Sequence, residues 1–303
     1  MTGALRGRRL AVYVFLCAVW GSTWLVIKIG LRDLPPLRFA GFRMALACLL
    51  LAVPAFASGG RTPSRREALF AALCGFLQIG LSYALLFIAS QWIESGLAAI
   101  LFSSFPIWSG LFAHVLLPDE PLTPRAVAAA ALGLAGVALI EAPAAARLFS
   151  SSATGHLFAG GVLVLVAAIV SAGANVANKK FLSRVPPVAN VFGQTFVGAA
   201  FLLAAAAVLE SHAPARWTPT ALGSLVYLAV FGTAVTFVGL FWLIPRVPVA
   251  VIGTIPLVDT LFAVLLGNLV LKERLSARTL LGGILILAGV WFTASTRREP
   301  ALG

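Results

Sequence analysis

The chain has 303 residues, 60% of them hydrophobic and 11% charged, with a net charge of +12. A soluble domain is about half apolar and about a quarter charged, so this composition excludes one and places the chain in a membrane. The basic excess does not argue for a nucleic-acid partner, because membrane proteins carry Lys and Arg in the loops that set their orientation.

Ten apolar runs follow one another, near residues 10–31, 36–57, 67–90, 95–117, 124–141, 157–179, 188–209, 219–243, 248–271 and 277–295. Each is close to the ~20 residues that a helix needs to cross the hydrocarbon core. None shows the sustained alternation of a transmembrane strand, so the expected fold is all-α. The basic start MTGALRGRRL, with an apolar run behind it, also has the form of a cleaved secretory signal. The length of that run and the lack of an A-x-A-like site oppose this alternative.

In the first run, AVWGSTWLVIKIGL, Trp20, Trp24 and Lys28 recur at steps of four and share a helix face. Lys28 lies about 12 Å from the centre of the run. Its stem can snorkel to the headgroups, or the lysine can end an aromatic stripe suited to an amphiphile with a carboxylate head. Arg43, in the second run, is about 5 Å from the centre and too deep to snorkel easily. A guanidinium at that depth calls for an anion, either a substrate carboxylate or a permanent partner within the protein.

The third run offers Gln78 and Ser82 at i, i+4 beside Tyr83, the sixth Asn175 and Asn178, and the seventh Gln194. Such groups bind a polar substrate or join helices. Pro106 and Pro256 fall in the middles of the fourth and ninth runs, where each removes an amide donor and frees the carbonyls of Phe102 and Ile252. Paired helix breaks point to a transporter's central site, with tolerated packing kinks as the alternative. Asp259, the one acid well inside a run, either pairs with Arg43 or carries a proton. His114 reads as a packing or snorkelling side chain. Cys17, Cys48 and Cys74 read as small buried hydrophobes, and no metal or cofactor motif is present.

The chain repeats itself. A shift of 151 lays Lys28 on Lys179 and Pro35-Pro36 on Pro186-Pro187. A shift of 150 lays Phe105-Pro106 on Ile255-Pro256, and one of 153 lays Glu120, Leu122 and Arg125 on Glu273, Leu275 and Arg278. The expected organisation is one five-helix repeat over residues 1–141, a linker at 142–156 and a second five-helix repeat with a short tail over 157–303. Five is odd, so the second repeat must run the opposite way across the membrane. Inverted repeats of this kind characterise secondary transporters.

With the N-terminus inside, thirteen basic residues fall in inner loops and tails and seven at outer ends, a bias that favours both termini in the cytoplasm. No nucleotide-binding loop or catalytic constellation interrupts the runs, so neither an enzyme nor an ATP-driven pump is expected.

WGSTWLVIKIGL and PPLRFAGFRMALACLLL at the start, the stretch from YALLFIASQW to AGVALI, and TIPLVDTLFAVLLGNLVLKERLSARTLLGGILILAGVWF near the end resemble the drug/metabolite transporter superfamily, in its EamA-like ten-helix branch. The first repeat departs from it, with PDEPL where the second has KERL, so Glu120 and Glu273 read as helix-end or loop anchors. The resemblance implies an inner-membrane permease that exports small metabolites such as amino acids. It places runs three, four, eight and nine around the central cavity, and five and ten at the periphery, where they would support homodimer contacts. Arg43 and the tryptophans fit amino acids with apolar or aromatic bodies; efflux of lipophilic cations, with Asp259 as counter-ion, is the alternative.

Overall fold

The computed structural model describes residues 5, 7–57, 61–93, 95–140, 142, 155–271 and 277–294. Most of the expected linker, together with Arg6, Arg147, Lys272, Glu273, Arg274, Leu275, Arg297 and Arg298, lies outside these residues. Twelve helices are described in chain order. They are α1 Arg8–Gly30, α2 Pro36–Ala57, α3 Arg65–Trp92, α4 Ser95–Phe102, α5 Phe105–Leu116, α6 Pro124–Ile140, α7 Gly155–Leu182, α8 Pro187–Leu209, α9 Pro219–Arg246, α10 Val249–Gly253, α11 Ile255–Leu271 and α12 Ala277–Ala294.

Helices α1, α2, α3, α7, α8 and α9 are long and apolar enough to cross a membrane, and the remaining apolar helices are shorter. Local chemistry fixes several starts. Pro36, Pro124, Pro187 and Pro219 open their helices, where the missing N–H costs nothing. At α3, Ser64 and Glu67 form a capping box. The N-terminus of α2 is closed from a distance, since the Glu210 carboxylate accepts from Leu37 N and Arg38 N, both at 2.8 Å.

Two helices carry an internal turn of π-helix, Gly75–Leu81 in α3 and Val230–Val235 in α9. Such a turn inserts a residue into the hydrogen-bond ladder and often marks a functional site. The fourth and ninth runs are each split, into α4 and α5 and into α10 and α11. Of the two expected alternatives, a helix break or a kink in a continuing helix, each run shows a break. Pro106 and Pro256 are the second residues of helices that begin anew, α5 and α11, so no ladder is broken at either proline. The two interruptions face one another: Ser103 Oγ donates to Pro256 O at 3.4 Å, and a methyl added to Gly253 would stand 3.2 Å from Pro106 Cα.

The most extensive contacts join α2 to α8 and α6 to α12, with α1 against α11 and α7 against α3 and α5. Between α6 and α12 the backbones nearly touch, because a Cβ on Gly282 would lie 2.5 Å from Gly136 O. Small residues permit such approach where no hydrophobic effect draws helices together. Cys17, Cys48 and Cys74 are buried and unpaired, as expected of small apolar side chains.

Candidate functional site: a central cavity around Arg43

Between α1, α2, α3, α7 and α9 and the two split runs lies a cavity of about 110 Å³. Of the residues singled out in the sequence, Trp20, Trp24, Arg43, Gln78, Ser82, Tyr83, Asn175, Pro256 and Asp259 line it. Lys28, Pro106 and Gln194 do not.

Arg43 is 1% exposed. Its Nε donates to Thr233 Oγ1 at 2.8 Å and its Nη2 to Gly232 O at 2.9 Å, both within the π turn of α9. The guanidinium carbon stands 5.0 Å from the centroid of the Tyr83 ring and 6.0 Å from that of Phe87, close enough for cation–π attraction. Nη1 has no hydrogen-bond partner among the described residues. The direct pair with Asp259 weighed from the sequence is not among the ion pairs of the described residues. Arg43 is held by neutral groups, so its charge stays available beside the cavity.

The other π turn, in α3, supplies Gln78. Its Nε2 donates to Asn175 Oδ1 on α7 at 3.1 Å, while its Oε1 has no partner. Ser82 Oγ donates to Ala167 O at 3.1 Å. The π turn of α3 thus brings Gln78 to the cavity wall, and that of α9 holds Arg43 there. Much of the remaining wall is apolar, with aromatic rings prominent in it. Trp20 meets Phe237 at 5.7 Å and Trp24 meets Phe102 at 6.2 Å, both edge to face, and Trp20 Nε1 donates to Gly232 O at 3.3 Å. Asp259, buried on α11, lines the same space.

Gln194 belongs to a separate buried chain of amides, donating to Asn190 Oδ1 at 2.8 Å, while Asn190 Nδ2 donates to Asn178 Oδ1 at 3.2 Å. Lys28 does not reach for headgroups alone. Its Nζ donates to Ser90 O at 2.6 Å and Ile93 O at 2.7 Å, at the end of α3. Carbonyls at the end of a helix have no intrahelical amide to accept from, and a cation suits the negative end of the helix dipole. Lys179 does the same for α9, donating to Val247 O at 2.5 Å, and also pairs with Glu120 Oε1 at 2.5 Å. Glu120 Oε2 in turn accepts from Val249 N at 2.6 Å, at the start of α10. His114 is a local brace, its Nδ1 accepting from Leu122 N at 3.3 Å.

Sequence reasoning missed Thr23, Phe87, Ser171, Gly232, Thr233 and Phe237. Thr233 and Gly232 could not have been found, because a π turn has no residue signature.

Residues 9–142 and again 158–295 match the EamA-like transporter family. The chain belongs to that family. A Bacillus subtilis protein named as an uncharacterized transporter, YoaV, is 28% identical over 284 residues, 92% of this chain and 95% of the relative. The Escherichia coli K12 inner membrane transporter YedA is 28% identical over 302 residues, 98% of this chain and 93% of the relative. A Streptantibioticus cattleyicolor protein described as a probable terminal-alkyne amino-acid exporter is 27% identical over 292 residues, 95% of each. A solved crystal structure shares the fold, with a TM-score of 0.79 at 19% identity, over 96% of this chain and 97% of the other. This EamA-family member is therefore a multi-pass membrane transporter, of the drug/metabolite transporter superfamily.

Proposed function

We propose that this EamA-family transporter exports amino acids with apolar or aromatic side chains across a bacterial inner membrane, by alternating access around the Arg43 cavity. The observation that carries the reading is the buried guanidinium, its Nη1 without a hydrogen-bond partner among the described residues, in a cavity lined by aromatic and aliphatic side chains and a few polar ones. A carboxylate matches the planar donor edge of arginine, Gln78 Oε1 and Asp259 are acceptors for an ammonium group, and the rings suit an apolar body. The similarity to a protein described as an amino-acid exporter supports this.

The reading includes ten spans arranged as two inverted five-helix repeats, with both termini in the cytoplasm and α6 and α12 free to support a homodimer. The two separate family matches, the paired π turns and the paired split runs support the repeats. A cavity of about 110 Å³ is smaller than the ~150 Å³ that accepts benzene, so a whole aromatic amino acid needs the cavity to widen during the cycle.

Flux of a panel of labelled amino acids from proteoliposomes, with and without a pH gradient at clamped voltage, tests the reading. Saturable amino-acid flux supports it, and a response to the gradient that disappears in Asp259→Asn assigns proton coupling to that carboxyl. Flux of lipophilic cations alone refutes it and makes Asp259 the substrate counter-ion.

A further inference from the structure

A second recess lies far from the central cavity, where α3 begins and α7 ends. It is a groove of about 650 Å³ lined by Arg61, Ser64, Arg66, Glu67, Phe70, Lys180, Phe181, Ser183 and Arg184. Four cations line it against one carboxylate, and that carboxylate is already committed. Glu67 pairs with Arg61 and accepts from Ser64 N at 2.8 Å as part of the α3 cap. Arg66, Lys180 and Arg184 take part in none of the ion pairs among the described residues.

The groove has a rigid floor. Phe70 from α3 and Phe181 from α7 stack with centroids 3.9 Å apart and planes 7° from parallel. Arg66 lies over both rings, at 5.8 and 6.0 Å, and Lys180 Nζ is 5.5 Å from the Phe181 centroid. Ring contact steadies these two cations at the groove without neutralising them. The cap takes up the Glu67 amide, and the four basic side chains carry the recognition here.

Position identifies the ligand. Both helices are long enough to span the membrane, so their ends stand at headgroup depth. Leu69 and Leu73 on α3 are exposed beside the groove and offer a path for acyl chains. Basic recesses between spanning helices suit anionic headgroups, and arginine matches phosphate oxygens in paired bonds. We propose that this groove binds the phosphate of an anionic phospholipid and so ties α3 to α7 at the bilayer surface.

The test is native mass spectrometry of the full chain released from phosphatidylcholine nanodiscs containing phosphatidylglycerol. The parent should retain phosphatidylglycerol selectively. Arg66→Gln/Lys180→Gln should bind it about thirtyfold more weakly, which is the effect of two basic side chains near an anionic surface. Arg8→Gln/Arg9→Gln, basic residues outside the groove, should leave binding near parental. Equal weakening by both double variants reduces the effect to general surface charge and overturns the proposal. So does parental binding in Arg66→Gln/Lys180→Gln. Displacement of the lipid by inorganic phosphate gives the groove to a free anion and overturns the lipid assignment. Melting in pure phosphatidylcholine nanodiscs shows that each variant is folded; should the first double variant unfold, Lys180→Glu alone, which inverts one charge outside the Arg61–Glu67 cap, replaces it.

Discussion

Replacing Arg43 separates a substrate site from a scaffold, because its neighbours keep other partners when it is removed. Thr233 Oγ1 still donates to Leu228 O at 3.0 Å, and Gly232 O still accepts from Trp20 Nε1 at 3.3 Å. Arg43→Ala therefore strands neither group, and the protein should insert and purify as the parent does. What disappears is a charged donor beside the cavity. A hydrogen bond to a charged group contributes about 1.5–3 kcal/mol, so kcat/KM for an amino acid should fall by about 10- to 150-fold.

Arg43→Lys should fall between the two, since an ammonium group keeps the charge but not the planar fork. The assay is counterflow of a labelled apolar amino acid in proteoliposomes, alongside the corresponding decarboxylated amine. Only the carboxylate-bearing substrate should lose flux in the variant. Parental flux in Arg43→Ala, or equal loss for amino acid and amine, would refute the assignment.

Lys28→Met removes the ammonium that donates to Ser90 O and Ile93 O at the end of α3 and should cost about 1–3 kcal/mol, seen as a lower melting midpoint with KM unchanged. A shifted KM at parental stability would instead make Lys28 a ligand. Gly282→Ala would put a methyl 2.5 Å from the α6 backbone. Overpacking of about 1–3 kcal/mol should follow, whereas Gly161→Ala, whose nearest neighbour would stand at 3.4 Å, should melt as the parent does. Glu120→Gln keeps an acceptor for Val249 N but loses its charge beside Lys179. In a double-mutant cycle with Lys179→Met, the two losses of stability should be non-additive by about 0.5–3 kcal/mol.

Depth along a span was legible in the sequence; the partner at that depth was not. Arg43 and Asp259 stood out because charge in an apolar run is costly, and both line the cavity. Polar residues of other runs that line the same cavity, Gln78, Ser82 and Asn175, were also visible. The acceptors of Arg43 were not, because one is a backbone carbonyl and both depend on a π turn, which is a backbone event. Lys28 illustrates the same limit: snorkelling is a local argument, while Ser90 O and Ile93 O arrive from another helix. Glu210 was overlooked since its partners, Leu37 N and Arg38 N, are more than 170 residues away. The breaks beside Pro106 and Pro256 were legible, but not that each proline lies in the first turn of the next helix, because sequence alone does not distinguish a proline within a continuing helix from one that opens another.

The internal repeat divides these residues into two kinds. The shift of 151 that joins Lys28 to Lys179 also joins Arg43 to Gln194. The lysines do equivalent work, each donating to the carbonyl just past the end of α3 or α9, at Ile93 or Val247. At the other pair the halves diverge. Arg43 reaches the π turn of α9, whereas the backbone of Gln194 lies against the π turn of α3, 2.7 Å from where a Cβ on Gly75 would stand. Its side chain turns to Asn190 instead. The same repeat position thus carries a cation beside the cavity in one half and a neutral amide in a separate chain of amides in the other. Under the proposed reading, Arg43 offers one cationic contact to one carboxylate, and the tryptophans of α1 give that contact an apolar side. The difference between Arg43 and Gln194, rather than the repeat position they share, then carries the binding chemistry.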